Sequence, residues 1–324
     1  MTAQRCRRDV PQLFNMYALP WECLDVPGLS SRLNARVLSR DDATDAMTLL
    51  VQLPAGWSAP RAEPAPATVE LFVIHGELTV DEERIGPGGF LALPPGPAGE
   101  RLASPSGGMA LLFWDPTLDA DFYYGSQRYL SHSWEQPWNL AARPGDVPIL
   151  AGSTNASLYK SLRPVDPNDE ALRGGPNGFL RLFFFLPGFG FPRHDVHRQS
   201  WEEVIFLLGD CFMADRGLLG PGSYVGNPPT MLHGPMMSQR GSLMVIHNTA
   251  AQGFETYDTF PHGEDLTRWY LEHASLYDEP LTVPWAETEG HAVWSELVRG
   301  LKVPAFPRYL DDGAQGGLTR SSSA

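Results

Sequence analysis

The sequence predicts an all-β protein made of two like barrels in tandem, followed by short C-terminal helices. Four segments recur in the same order at a constant spacing. Each is short, apolar and rich in aromatic and β-branched residues. Gly 32 and Pro 30, about a fifth of the chain, favour many short elements joined by turns over long helices.

The repeat is read first, because a missed repeat miscasts the whole fold. ELFVIHGELTV from Glu70 matches EVIFLLGDCFM from Glu203, and GPGGFLALPPGPAG from Gly86 matches GPGSYVGNPPTMLH from Gly220. GMALLFWD from Gly108 matches GSLMVIHN from Gly241, and LLVQLPAG from Leu49 matches FFFLPGF from Phe183. The offsets are all 133 or 134 residues. The pairs Pro20-Trp21 and Pro137-Trp138 extend the repeat toward the start of each half at a shorter offset. Turn signals such as EERIGPGG and DRGLLGPGS separate the strands, at the spacing of a sandwich or barrel.

Between the repeats, residues 115–150 are rich in aromatics and Pro and are expected to wrap over a barrel. Two segments, from Glu264 and from His291, show helical spacing of apolar residues. The Gly/Ser-rich tail after about Asp311 reads as disordered. The expected division is a first barrel over 1–130, a second over 131–255 and a helical extension with its tail over 256–324.

Composition narrows the function. A formal net charge of −14 argues against nucleic acid as a partner, since phosphate binding wants a basic surface. No stretch approaches the roughly 18 apolar residues of a membrane span, and the N-terminus reads as no signal peptide. Cys6, Cys23 and Cys211 lie far apart and form neither a disulfide framework nor a metal knuckle. A reducing cytoplasm fits that pattern best. A small-molecule substrate is the expected partner, with a homodimer as the expected assembly.

The second half carries the chemistry. It contains G-x5-H-x2-H-x4-E-x6-G, running Gly188, His194, His197, Glu202, Gly209, and then G-x5-P-x-T-x2-H, running Gly222, Pro228, Thr230, His233. The pattern resembles the two motifs of the cupin superfamily, G-x5-H-x-H-x3,4-E-x6-G and G-x5-P-x-G-x2-H. The resemblance covers roughly residues 35–115 and 155–250 and implies a bicupin. It is most similar to the bicupins related to the cupin domain of anti-sigma factors and to dioxygenases of small oxygenated substrates. By that resemblance His194, His197, Glu202 and His233 hold one divalent ion inside the barrel. Imidazoles and a carboxylate make a mixed site suited to Fe(II), the leading expectation, or to Zn, Mn, Ni or Cu.

Two departures leave alternatives open. H-x-x-H replaces H-x-H, and successive strand residues face opposite sides, so Asp195 is an alternative to His194 as the first ligand. Glu202 has the family spacing to Gly209, while Glu203 aligns with Glu70 across the repeat. Only one of the two can face the metal, and Glu202 is favoured. His247 stands where the first half has Trp114 and reads as a lumen or packing residue.

In the first half, His194 aligns with Ala62, Asp195 with Glu63 and His233 with Gly99, which leaves only Glu70 able to donate to a metal. That barrel is expected to be metal-free and structural. Phe183, Phe185, Phe191, Trp201, Met231, Met236 and Met237 are candidates to line an apolar pocket around the metal. The function these features imply is a metal-dependent enzyme on a small oxygenated organic substrate, in its leading version an Fe(II) dioxygenase. A non-oxidative lyase, isomerase or cyclase is the alternative enzyme, and a zinc-binding sensor the alternative of another class.

Overall fold

The computed structural model describes residues 7–61, 66–96, 99–141, 157–164, 175–186, 189–191, 193–238, 241–250 and 254–258. The two predicted C-terminal helices and the tail lie outside the described residues. Among the described residues no helix is long and apolar enough to cross a membrane.

The described residues are nearly all β, as predicted, with one short helix, Ala120–Tyr123, and one 3-10 turn, Met16–Ala18. One seven-stranded sheet has the order Tyr129–His132, Gly89–Leu93, Thr68–Gly76, Gly108–Asp115, Met47–Leu53, Arg32–Arg40, Glu22–Asp25. The other runs Gln12–Asn15, Ser223–Asn227, Glu202–Gly209, Ser242–Asn248, Phe179–Phe185, Ser157–Ser161, Asn139–Ala141. Position by position, the second order repeats the first. A four-stranded sheet accompanies each, Trp57–Pro60, Arg101–Ser104, Leu78–Val80, Glu83–Ile85 in the first half and Phe189–Phe191, Met236–Ser238, Cys211–Met213, Gly217–Leu219 in the second. The edge strands are exchanged. Gln12–Asn15, at the start of the chain, pairs with the second half's Ser223–Asn227, and Tyr129–His132 pairs with the first half's Gly89–Leu93.

Fine features repeat as well. Both central strands carry a β-bulge, which leaves Ile74 and Leu207 without a directly opposite residue. Gly76 and Gly209 follow with φ of +72° and +83°. A Cβ at Gly209 would meet the Gly241 carbonyl oxygen at 1.9 Å, and one at Gly76 the Gly107 carbonyl oxygen at 2.1 Å, so only glycine fits. The Pro-Trp pairs are structural equivalents too. Arg36 lies over the Trp21 ring at 4.0 Å, and the Lys160 ammonium lies over the Trp138 ring at 4.6 Å.

The central strands read as near-continuous apolar runs because both of their faces are buried. Val69, Leu71 and Val73 point into the first barrel; Val204 and Phe206 point into the second. The alternate residues Phe72, Ile74, Ile205 and Leu207 join one further core with Leu50, Leu111, Leu182 and Leu243, in which the two large sheets face each other.

That shared core also buries charge. Arg163 donates to both oxygens of Glu70, at 2.7 and 2.8 Å, and Tyr124 donates to the same carboxylate at 2.5 Å. Across the interface Arg8 pairs with Glu203 at 3.2 Å, and Ser39 and Trp201 donate to Glu203 at 2.5 and 2.8 Å. His247 lies between the two acids, 3.3 Å from Arg163 and 3.7 Å from Glu203, with its ring edge-on to Phe113. Burial would raise the Glu203 carboxyl, but Arg8, His247 and Ser39 bring it down to about 2. His247 therefore packs between the sheets and does not enter the lumen.

Candidate metal centre

Three elements of the second half converge on one point. The strand Arg193–His197 turns Asp195 and His197 to one face and His194 to the other, as strict alternation requires. Asp195 and His197 are buried and His194 is half-buried. The strand Glu202–Gly209 supplies Glu202, first in the inward row that continues with Val204 and Phe206. The loop after Asn227 supplies His233.

Backbone bonds fix that loop against the first strand. Asp195 and His233 exchange N–H to carbonyl bonds of 3.0 and 3.1 Å, and the Thr230 N–H donates to the His197 carbonyl at 2.7 Å. Thr230 stands where the family motif has glycine, and its φ is +68°. A β-branched residue in the left-handed region is strained. Thr230→Gly removes strain of about 1–2 kcal/mol per residue against roughly 0.5–1 kcal/mol of added chain entropy. A melting temperature no lower than the parent's is the expected result, and a clear drop would show that the threonine side chain holds the loop.

The Nε2 atom of His233 lies 2.7 Å from Asp195 Oδ1 and 3.0 Å from Glu202 Oε2, and His197 Nε2 lies 3.2 Å from Glu202 Oε1. One ligand atom each from Asp195, His197 and His233 lies within 4.8 Å of the others. Nδ1 of His233 faces the Met231 carbonyl oxygen at 3.2 Å, which leaves Nε2 for the cluster. Burial would raise the Glu202 carboxyl, yet His197 and His233 hold it well below the usual carboxylate range. Burial opposes charge on His233 as well, but Asp195 and then Glu202 lift it well above the ordinary imidazole value.

A polar chain backs the cluster. Asn227, wholly buried, donates to Glu202 Oε2 at 3.0 Å, and Arg216 donates to the Asn227 side-chain oxygen at 3.1 Å. Strand register could have found Asn227, which lies opposite Glu202. Arg216 is set by a turn, and no motif marks it.

Of the expected ligands, the structure brings His197, Glu202 and His233 together, with Asp195 where His194 was expected. Glu203 faces the other sheet. Of the expected pocket residues, Phe183, Phe185 and Met236 line a cavity of about 50 Å³ that reaches Asp195, Glu202 and His233. Trp201 does not line it, since its indole serves Glu203.

The first half corrects the expected alignment. The Arg61 N–H donates to the Glu100 carbonyl as that of Asp195 does to His233, so Arg61 and Glu100 are the structural counterparts of Asp195 and His233. Their side chains form an ion pair at 3.5 Å, and the Arg61 guanidinium also donates to the Leu93 and Pro94 carbonyls. Val69 takes the place of Glu202. Glu70, the one donor expected there, points to the opposite sheet and into Arg163.

The profile of a family described as a domain of unknown function (DUF4437) matches residues 19–250. No curated protein matches the chain. Similar solved structures include a putative dioxygenase from Nostoc punctiforme, with 18% identity, 78% of this chain and 88% of that one covered, and a TM-score of 0.61. A putative glyoxylate-induced protein from Pseudomonas aeruginosa is 14% identical, with 73% and 85% covered and a TM-score of 0.51. YlbA from Escherichia coli is 13% identical, with 75% and 92% covered and a TM-score of 0.50. At these identities the likeness is one of fold, and that fold is the cupin barrel.

Proposed function

Because the chain belongs to the DUF4437 family, whose description names no activity, its chemistry has to be read from the site, and we propose that it is a bicupin enzyme that uses one divalent metal in its second barrel to act on a small oxygenated organic molecule. The observation that carries this is the spacing of the donors. Ligand atoms about 2.1 Å from one ion stand about 3 Å apart at right-angled positions, and the separations in the cluster are 2.7, 3.0 and 3.2 Å.

Asp195, His197, Glu202 and His233 would hold the ion. Two imidazoles and two carboxylates form a harder donor set than the three histidines and one glutamate expected from the motif. That favours Fe(II) or Mn over Cu. The two carboxylate charges match those of the ion. When bound, the ion would supply a Lewis-acid and redox centre beside the cavity. Asn227 orients Glu202, the Met231 carbonyl orients His233, and the apolar wall keeps water from the reacting molecule.

Oxygen-dependent cleavage or oxidation is the preferred reaction, in keeping with the first-named structural relative. In the first barrel the Arg61 guanidinium, standing at the position of Asp195, repels a cation, so that barrel serves as scaffold. A reducing cytoplasm suits the free thiols of Cys23 and Cys211. Anaerobic purification with metal analysis, followed by an oxygen-uptake screen of small oxygenated acids and ketones, tests the reading. One equivalent of Fe(II) or Mn and oxygen uptake with some member of the screen are expected. A stoichiometry of two, or none, would refute it.

A further inference from the structure

Among the described residues, the cavity beside the cluster has polar lining at one end only. Asp195, Glu202 and His233 line that end. The remaining wall consists of phenylalanine, methionine, valine and isoleucine side chains and the Cys211 thiol, with Phe206, Met213 and Met244 among them. Burial pushes the Cys211 thiol well up, so it is a neutral, weak donor. Arg181, the buried cation on the same strand face as Phe179 and Phe183, is stacked over the Phe179 and Tyr159 rings at 4.2 and 4.6 Å and does not line the cavity.

We propose that this site selects a short-chain monoanion, with one chelating pair of oxygens at the ligand groups and an unfunctionalised alkyl body lying against the Phe and Met wall. The inference rests on the metal reading above and adds the substrate class to it. Among the described residues a second carboxylate on such a ligand would meet no partner in the cavity, and an unpaired buried charge is strongly disfavoured. Sites of this kind discriminate strongly against an unpaired polar group. Size points the same way. An apolar cavity of about 150 Å³ takes up benzene, and about 50 Å³ is a third of that, which suits a short chain. Met213, Met236 and Met244 can adjust to chains of slightly different shape.

The test uses full-length protein loaded with Co(II), whose visible spectrum reports ligands entering its coordination sphere. 2-Hydroxybutanoate and malate have the same chain length and the same chelating head, and differ by one carboxylate. 2-Hydroxybutanoate is expected to perturb the spectrum and to bind at least tenfold more tightly than malate by calorimetry. In Met244→Ala, which enlarges the apolar end, 2-hydroxyhexanoate is expected to gain affinity relative to 2-hydroxybutanoate. Equal binding of malate overturns the inference, and its loss in Arg181→Met would hand the far end of the cavity to that guanidinium. Co(II) bound with no response to either acid also overturns it and leaves the metal reading standing. If no Co(II) binds, the metal reading itself fails and the inference falls with it.

Discussion

Metal content is expected to fall to near zero in His233→Ala. His233 Nε2 is the hub of the cluster, within 3.0 Å of both Asp195 and Glu202. Its removal leaves three donors, two of them carboxylates that face each other without the imidazole between them. Asp195→Ala should lose metal in the same way, whereas His194→Ala should keep close to a full equivalent, because His194 lies on the other face of its strand. The measurement is metal stoichiometry after dialysis, with melting temperature alongside. Loss of stability in His233→Ala should match the lost metal linkage, RT ln(1 + [M]/Kd), on the order of a few kcal/mol. Full metal in His233→Ala, or loss in His194→Ala with Asp195 intact, would refute the assignment.

The largest effect on stability is expected at Arg163. Its guanidinium is buried, makes two bonds to the equally buried Glu70, donates to the Asn177 carbonyl at 3.0 Å and lies 5.3 Å from the Tyr123 ring centre. Burial opposes its charge, but Glu70 keeps it fully protonated. Among the described residues, Arg163→Met leaves the buried Glu70 carboxylate with Tyr124 as its remaining hydrogen-bond donor, a situation that costs about 3–5 kcal/mol. The denaturant midpoint should fall accordingly at an unchanged slope. The double variant Arg163→Met/Glu70→Leu should recover most of the loss, since an apolar pair of similar volume avoids the unpaired charge. A loss below about 1 kcal/mol in the single variant, well short of that range, would mean that water reaches Glu70. Because Arg163 faces the shared core and not the candidate metal site, metal content per folded molecule should stay unchanged.

The order of the strands was legible in the sequence because the repeat is made of backbone-determining residues. Gly76 and Gly209 terminate equivalent strands at positive φ, and apolar runs mark strands with two buried faces. The direction of each side chain was legible only in part. Alternation separates Glu202 from Glu203 and Asp195 from His194, but it does not say which face looks into a barrel until the opposite sheet is in place. Glu70 was misread for that reason: it is aligned with Glu203, and both serve the interface. Arg61 and Glu100 were missed because their chemistry is unlike that of Asp195 and His233. Their equivalence lies in a shared backbone bond that leaves no trace in residue type. Asn227 is signalled by its register with Glu202, while Arg216 reaches the site from a turn.

The exchanged edge strands mean that neither half is a self-sufficient module. Gln12 pairs with Gly226, next to the Asn227 that steadies Glu202. The segment Gln12–Asn15 is thus a splint on the half that carries the candidate metal site, more than a hundred residues away along the chain. Cleavage just after Met16 would strip Ser223–Asn227 of its neighbour and leave an open sheet edge, the kind of surface that recruits foreign strands. A cargo fused close to Gln12, or a protease working there, would be felt at the candidate ligands before it was felt in the barrel nearer in sequence.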